Sequence, residues 1–169
     1  MEAINKRRSI RKYREGEIED EKIDKMIRAA MQAPGSRMGN EPWEFIIVKN
    51  KESIKNLSEM DHNSKMLEGA SLAIVLLANM DTSHFKKIWQ QDMSCAATML
   101  LLEASYLDLG AVWVNVAPHE HRMKFIRDFF ELDENINPFC MISIGYPGEG
   151  EENKFIDKYH EDRVHFEKY

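Results

Sequence analysis

The chain has 169 residues, a length typical of one domain with a sizeable core. Hydrophobic residues make up 43% and charged residues 31%, and the formal net charge is -6 at pH 7. Because an acidic chain lacks the wide cationic surface that general nucleic-acid binding needs, we expect no nucleic-acid partner. No apolar run approaches the roughly 20 residues of a membrane-spanning helix, so we expect no membrane partner either.

The N-terminus and the cysteines favour a cytoplasmic location. Residues 1–5 lack the apolar core of a signal peptide, and Glu2 is a carboxylate of the kind that transit peptides avoid. Cys95 and Cys140 have no paired spacing for metal or redox chemistry, which predicts two reduced, buried thiols. Neither close pair of histidines has a carboxylate companion at zinc-site spacing, so no metal site is expected.

The first third of the chain predicts a helix, a loop, a strand and a second helix. Asp20 is placed to cap the first helix, whose apolar residues recur at helical spacing, and Pro34 ends it. Residues 34–42 contain two glycines and two prolines, which predict an irregular loop. The β-formers of residues 43–48 predict a strand, and residues 51–59 predict a short helix.

The middle of the chain predicts a buried strand and a long helix. Residues 71–78 are an unbroken apolar run of strand length, which indicates an internal strand covered on both faces. The longest helix is predicted for residues 85–109, with Gly110 as its C-terminal stop. The centre of this helix is apolar nearly all the way round, so a chain this small needs a partner subunit to bury it.

Two strands, a helix and an arm complete the chain. Residues 111–116 and 139–144 are rich in β-formers, and Pro118 is placed to open a helix between them. A turn is predicted at residues 145–148. Residues 149–169 are mostly charged but hold six large apolar or aromatic side chains, more than disordered tails usually contain, so we expect an arm that packs on a neighbouring subunit.

These elements predict an α+β fold in which helices flank a sheet. The domain covers residues 1–148 and the arm covers residues 149–169. The sequence contains no Gly-x-Gly-x-x-Gly turn, no P-loop and no Gly-x-Ser-x-Gly elbow, and neither cysteine has an evident base beside it. If the protein is an enzyme, a bound cofactor therefore carries its chemistry.

One basic segment contrasts with the acidic balance of the chain. Residues 6–14 contain six cations in nine positions, with Ser9 among them. Arginine binds phosphate through a planar fork that engages two oxygens at once, and a serine hydroxyl adds a short neutral donor. If a short helix ends near Arg8, then Arg8, Ser9 and Arg11 can converge on one anionic ligand. A solvated arm that binds nucleic acid weakly and a targeting peptide are the alternatives.

Six motifs, in this order, resemble the nitroreductase family of flavin enzymes, and they span nearly the whole chain. The first is Arg-Arg-Ser-Ile-Arg-Lys-Tyr at residues 7–13. The others are Ala-Pro-Gly-Ser through Glu-Pro-Trp at 33–43, His-Asn-Ser-Lys-Met-Leu at 62–67, Gln-Asp at 91–92, Leu-Gly-Ala-Val-Trp at 109–113, and Ile-Gly-Tyr-Pro at 144–147 before Arg-Val-His at 163–165.

The resemblance implies an intertwined homodimer of α+β subunits. Each subunit would have a mixed or antiparallel sheet flanked by helices, and the C-terminal arms would be exchanged. The resemblance also implies FMN at the subunit interface, with NADH or NADPH as electron donor and a small molecule such as a nitroaromatic compound or a quinone as acceptor. Because the flavin carries the chemistry, no protein side chain is assigned as a catalytic acid or base.

Carried over by position, the family implies a phosphate site and a ring site. Arg7, Arg8 and Ser9 would hold the FMN phosphate and ribityl chain, with Arg163 as a second phosphate contact. Arg11 and Lys65 would lie near the pyrimidine edge of the ring. Reduction places negative charge on that edge, and a fixed cation stabilises it.

Further groups are implied around the ring. They are Pro34, Gly35, Ser36 and Asn40 in a loop of the other subunit, Asn63 in the third motif, and Val114 and Asn115 on the opposite side. The chain departs from the family pattern in having Gly35 for serine, Glu41 for glutamine, and one extra residue in the loop. Either Gly39 or Asn40 therefore takes the family's asparagine position. Likewise, His62 stands where asparagine is usual, so Asn63 is either its functional replacement or merely adjacent.

Two alternatives stay open. One is another reaction of the same superfamily, reductive dehalogenation or flavin fragmentation, which generally needs an added lid segment for which 169 residues leave little room. The other is a non-enzymatic module that binds FMN or another anion.

Overall fold

The computed structural model describes residues 2–36 and 40–169. The helices of this part are α1 (Glu2–Lys6), α2 (Asp20–Ala30), α3 (Lys51–Ser58), α4 (Trp89–Tyr106) and α5 (Glu120–Phe130). Its strands are β1 (Tyr13–Arg14), β2 (Trp43–Val48), β3 (Leu72–Asn79), β4 (Gly110–Asn115) and β5 (Ile136–Pro147), and 3-10 helices cover His62–Gly69 and Glu161–Arg163. None of these described helices combines the length and apolar character that crossing a bilayer requires.

The strands form one sheet whose strand pairs are antiparallel. The longest strand, β5, pairs with β3 on one side and with β4 and β1 on the other. β2 pairs with β3. The internal strand predicted for residues 71–78 is therefore confirmed, because β3 lies between two neighbours and its residues 72–78 are all buried.

Helices cover both faces of this sheet. The even-numbered residues of β3 pack in a core with α2 and α4, whereas its odd-numbered residues pack in a second core with α3 and α5. This alternation follows from strand geometry, in which successive side chains point to opposite faces. The predicted α+β fold with a sheet flanked by helices is confirmed.

α2 begins differently from the prediction. Glu19 occupies the capping position without a side-chain capping bond, and Asp20 is the first helical residue. Lys49, the residue that follows β2, donates a hydrogen bond to the Asp20 carboxylate at 2.7 Å. This carboxylate therefore binds a lysine side chain and does not cap the helix. The helix ends at Ala30, four residues before Pro34.

α4 has 18 residues and is shorter than the predicted helix at 85–109. Asp108 adopts a left-handed φ of 58°, which prevents the helix from continuing. Gly110 is not the helix stop but the first residue of β4. A side chain at this position would bring its Cβ within 2.6 Å of Ile10 Cγ2, so the glycine permits close packing.

Two predicted boundaries near the C-terminus are wrong. α5 begins at Glu120 rather than at Pro118. The turn predicted at residues 145–148 is strand as far as Pro147, because Tyr13 and Arg14 pair with this end of β5.

The two cysteines are free thiols in different surroundings. Cys140 is buried in β5, and burial raises the pKa of its thiol. Cys95 on α4 is only partly buried, so the expectation of a buried thiol is wrong there.

Residues 149–169 run beyond the sheet as an arm that is exposed in the single chain. Phe155, Tyr159 and Phe166 have exposed fractions of 63%, 69% and 86%. That this arm packs on a neighbouring subunit stays a prediction.

Candidate functional site

The basic segment, residues 6–14, leaves α1 and runs beside the start of β4. Ser9 forms a parallel bridge with Ala111, and the backbone N–H of Ile10 donates to the Ala111 carbonyl at 3.1 Å. Ile10 is 1% exposed, so its side chain anchors the segment in the core. The cations on either side of Ile10 are thereby fixed at one edge of the sheet.

Tyr13 holds the far end of this segment. Its hydroxyl lies 2.9 Å from the Ile10 carbonyl and 2.9 Å from Ser143 Oγ. Its ring covers Gly145, where an added Cβ would lie 2.7 Å from Tyr13 Cδ1. Burial raises the pKa of Tyr13 to about 12.

The cations of the segment have few anionic neighbours. Lys6 pairs with Glu2. Within residues 2–36 and 40–169, no carboxylate lies within 4.0 Å of the side-chain nitrogens of the other five, which are Arg7, Arg8, Arg11, Lys12 and Arg14. Burial, and secondly the neighbouring Arg8, lower the pKa of Arg7. A cluster of this kind, in which Arg7 and Arg8 are half-buried, fits an anionic group such as a phosphate.

Among the described residues, Arg8 donates to neutral groups only. Its Nε and Nη2 donate to the carbonyls of Lys154 and Asn5 at 2.6 and 2.5 Å. Arg11 donates through Nη1 to the Ser9 carbonyl at 3.2 Å. Both guanidinium groups therefore keep donor capacity for a charged acceptor, because each has five N–H groups.

The root of the arm lies against the basic segment. Asn153 accepts a hydrogen bond from the Arg8 backbone N–H at 3.1 Å and donates to the Leu109 carbonyl at 2.9 Å. A cleft of about 300 Å³ lies between Arg7 and Arg8 on one side and arm residues such as Tyr159 on the other. Sequence reasoning missed Asn153, because a lone asparagine in a charged stretch has no distinctive pattern.

Arg163 belongs to the exposed 3-10 turn of the arm. In the described part of the chain, no hydrogen bond or ion pair of its side chain joins it to the basic segment. The structure of one chain therefore does not bring Arg163 together with Arg7 and Arg8.

The loop that includes Pro34, Gly35, Ser36 and Asn40 meets the start of α4. Pro34 is exposed and Gly35 is half-buried. Ser36 and Asn40 both donate to the carboxylate of Asp92, and Asn40 is fully buried. Residues 37–39, which include Gly39, lie outside the described residues.

Asn63 and Lys65 lie on the 3-10 helix His62–Gly69, and both are exposed. Asp61 caps this helix by accepting from the Asn63 backbone N–H at 2.7 Å. Lys65 pairs with Glu59 at 2.7 Å across two half-exposed side chains, which leaves its ammonium group able to exchange partners.

Val114 and Asn115 end β4. Val114 is buried, whereas Asn115 is exposed and accepts from Trp113 Nε1 at 3.2 Å. The Asn115 carbonyl accepts from Arg122 Nη1 at 2.9 Å.

Arg122 connects this strand end to the 3-10 helix. Its Nε lies 2.6 Å from Asp61 Oδ2, in an ion pair whose side chains are 11% and 15% exposed. The angle is poor for a hydrogen bond, so the contact is mainly the attraction of opposite charges in a nearly dry place. Arg122 was missed by sequence reasoning, since its partner is 61 positions away.

The loop and the basic segment lie at opposite ends of α4. β4 contacts the basic segment at Ala111, and Asn115 lies about 13 Å further along the same strand. The loop, in contrast, is held at Asp92, near the start of α4, while Arg8 is tied through Asn153 to Leu109, just past the end of that helix. The helix from Asp92 to Tyr106 is about 21 Å long, so one chain holds its loop far from its own basic segment.

Comparison with known proteins gives consistent results. A family model described as "Nitroreductase family" matches residues 4–78 and 58–146. A protein of Archaeoglobus fulgidus, provisionally named an NADH dehydrogenase/NAD(P)H nitroreductase, is 42% identical over 174 residues, which cover 100% of this chain and 98% of its relative.

Two solved structures are similar over almost their whole length. A provisionally named NADH oxidase from Clostridium acetobutylicum has 50% identity and a TM-score of 0.96, with 99% of both chains covered. An FMN-dependent nitroreductase from Clostridium difficile has 36% identity and a TM-score of 0.89, with 99% of this chain and 98% of that one covered.

Proposed function

The chain belongs to the nitroreductase family, and we propose that it passes two electrons from NADH or NADPH, through FMN, to a small acceptor such as a nitroaromatic compound or a quinone. It is an oxidoreductase that uses FMN and NAD(P)H, as its relatives' names indicate. FMN supplies the two-electron chemistry when it is bound, and the protein supplies binding, orientation and electrostatics. The observation that carries this proposal is the cluster of cations without carboxylate partners beside β4.

Arg7, Arg8 and Ser9 bind the phosphate end of the cofactor in this proposal. Arg8 exchanges its neutral carbonyl acceptors for phosphate oxygens, and charge-assisted hydrogen bonds are roughly twice as strong as neutral ones. Arg163 adds a second cation from an arm, and its exposed position in one chain leaves it available for this contact.

Arg11, Lys65 and Asn63 lie toward the pyrimidine edge of the ring in this proposal. A cation there stabilises the negative charge that reduction places on the edge. The backbone at Val114 and Asn115 borders the opposite face. Arg122 supports this side, since it is bonded to the Asn115 carbonyl and lies against the Asp61 cap of the helix that carries Lys65.

The protein works as a homodimer in which the partner supplies the loop with Pro34, Gly35, Ser36 and Asn40. The length of α4 supports this arrangement, because it separates the loop of a chain from that chain's own basic segment by about 20 Å. α4 also has partly exposed apolar residues, and one shallow groove of about 290 Å³ beside it includes Pro34, Cys95 and Met99. The exposed aromatic side chains of the arm supply further apolar surface for exchange between subunits.

Mixed dimers test whether the loop comes from the partner. Arg8→Ala and Asn40→Ala variants, each impaired alone, are refolded together. If each site combines the two subunits, one site of the mixed dimer has both intact residues, and activity returns. Activity no higher than the average of the two parents would show that each chain completes its own site.

The first test of the function is the absorbance spectrum of the purified protein between about 300 and 550 nm, before and after anaerobic addition of NADH or NADPH. We expect a flavin spectrum that bleaches with at least one nucleotide and recovers when a quinone or a nitroaromatic compound is added. A flavin that stays oxidised with both nucleotides would contradict the electron-transfer role. A protein that stays colourless after FMN is supplied would contradict the cofactor assignment.

A further inference from the structure

The carboxylate of Asp92 joins the two described ends of the loop. Ser36 donates its hydroxyl proton to Oδ1 at 2.5 Å, and Asn40 donates from Nδ2 to Oδ2 at 2.7 Å. Asp92 is only 3% exposed and Asn40 is 0% exposed. Each carboxylate oxygen thus binds one residue, and the pair brackets residues 37–39.

The other end of the Asn40 side chain is also engaged. Its Oδ1 accepts from the His84 backbone N–H at 2.7 Å, in the segment that leads into α4. Both polar ends of a fully buried side chain are therefore bonded within the chain, as buried polar groups require. This leaves Asn40 as a support of the loop rather than as a group free to contact a ligand.

We propose that Asp92 is a positioning residue that clamps the loop through Ser36 and Asn40 and thereby shapes the acceptor side of the flavin pocket. The role in the pocket depends on the function proposed above. Asp92 touches neither the cofactor nor the reacting atoms in this assignment. It acts through the loop, whose partner-supplied residues cover the ring.

The chemistry of the clamp explains why an aspartate stands at this position. Ser36 and Asn40 both present donors, and an ionised carboxylate is an acceptor at both oxygens. The side-chain amide of an Asp92→Asn variant would offer one acceptor and one donor, so Asn40 keeps its bond while Ser36 must turn to accept. Asp92→Ala removes both bonds and leaves the buried Nδ2 group of Asn40 without its acceptor. The alanine variant is therefore expected to be damaged more than the asparagine variant.

Limited trypsin digestion measures the clamp without reference to activity. Trypsin can cut after Arg37, which the sequence places between Ser36 and Asn40. We expect cleavage there to be about tenfold faster in Asp92→Ala and about threefold faster in Asp92→Asn, with or without FMN, because Ser36 and Asn40 on either side in the sequence are less firmly held. Asp128→Ala, which removes an exposed partner of Lys124 on α5, is the matched control and should digest like the wild type. Equal cleavage in Asp92→Ala and the wild type would overturn the clamp.

Steady-state kinetics then tests the role in the pocket. With Asp92→Ala, we expect the KM for the acceptor to rise about tenfold while kcat per bound FMN stays within about twofold, because the loop shapes binding and the flavin performs the transfer. In Asp92→Asn, the KM for the acceptor should lie much closer to the wild-type value than in Asp92→Ala. A loss of kcat per bound FMN at unchanged KM would place the effect in turnover rather than in acceptor binding and would overturn the positioning role.

The two proposals fail in different ways. A wild-type protein without reducible FMN would overturn the proposed function and, with it, the pocket role of Asp92. Digestion after Arg37 would still decide whether Asp92 holds the loop. Normal turnover of the wild type, combined with unchanged digestion and KM in Asp92→Ala, would overturn the clamp alone.

Discussion

The basic segment and α2 are both rich in cations, but the cations of the two regions differ in whether a carboxylate lies beside them. On α2, Lys22, Lys25 and Arg28 each lie within 3.1 Å of a carboxylate three or four residues earlier. In the basic segment, five of six cations have no such partner in the described chain, although the whole chain has an excess of acidic residues. The number of cations alone therefore does not mark a binding site, and the basic segment differs from α2 in that most of its closely spaced cations lack carboxylate partners among the described residues.

The difference has a physical reason. Side chains three or four residues apart are neighbours on a helix surface, so oppositely charged ones pair there. Such exposed pairs contribute little to stability, because water screens their charges. Arginines without partners resist burial and, when adjacent, repel each other, and in this order the two effects lower the pKa of Arg7. An anionic ligand removes both penalties, so the segment is better matched to its bound state than to its free state.

The largest expected effect comes from Arg8→Ala. The apoprotein of this variant should bind FMN about 100-fold more weakly, a loss of about 2.7 kcal/mol, because charge-assisted bonds to the phosphate disappear. Fluorescence titration of apoprotein with FMN measures the Kd. The control is Arg28→Ala on α2, whose arginine pairs with Asp24 at 2.6 Å and should leave the Kd within about twofold. If both variants bind FMN like the wild type, the two basic regions do not differ as proposed.

A smaller effect is expected from Arg11→Gln. Without this cation near the ring edge, the midpoint potential of bound flavin should fall by about 30 mV, equivalent to about 1.4 kcal/mol for two electrons. Dye-equilibrated reductive titration measures this shift. Arg14→Gln is the comparison, because Arg14 stacks 4.4 Å from the centre of the Tyr146 ring and should change the potential by less than about 10 mV. Equal shifts in the two variants would remove Arg11 from the ring edge.

Tyr13→Phe tests how the segment is held. At pH 8, losing the buried hydroxyl should lower the free energy of unfolding by about 1 kcal/mol. The pKa of Tyr13 is raised from its ordinary 10.0 to about 12, so the folded state holds the proton more tightly. The stabilisation that comes from this tighter proton binding is fully present below about pH 10 and is lost as the pH rises toward about 12.

Phenylalanine does not ionise, so the stability order of the wild type and Tyr13→Phe should reverse between about pH 10 and 12. Urea unfolding at several pH values measures both proteins, and Tyr106→Phe, at a tyrosine that is 71% exposed, should follow the wild type throughout. A constant difference between wild type and Tyr13→Phe across this range would contradict the proposed burial of the hydroxyl.

The smallest effect is expected from Glu21→Gln on α2. Its partner Lys25 lies 2.7 Å away on an exposed face, so the midpoint of thermal unfolding should change by no more than about 1 °C. FMN affinity should not change. A large loss of stability would mean that the pairs on α2 are more than screened surface contacts.

Local patterns predicted most of the fold. The strand at 43–48 coincides with β2, and the helix at 51–59 differs from α3 by one residue. The errors occur where distant segments decide the outcome. Gly145 looks like part of a turn, but it is strand because Tyr13 packs on it and the β1 pairing extends β5 past it.

The residues of the candidate site also divide into those that local sequence predicted and those that only distant contacts reveal. The basic segment was predictable, because its charge density is a local property of the chain. Asn153 and Arg122 were not, since their roles depend on Arg8 and Asp61, which are 145 and 61 positions away. Asp92 was visible only as part of a motif, and its bonds to Ser36 and Asn40 appear only in the fold.

The sequence by itself determined the family, the class of fold and the position of the cationic segment. These depend on periodicity, local charge and the order of motifs, all of which are properties of the linear sequence. Only the tertiary structure decided which cations keep free donors, which asparagine supports the loop and how far α4 separates that loop from Arg8. Those properties depend on which side chains meet across the sheet and along the helix, and residues far apart in sequence meet only when the chain folds.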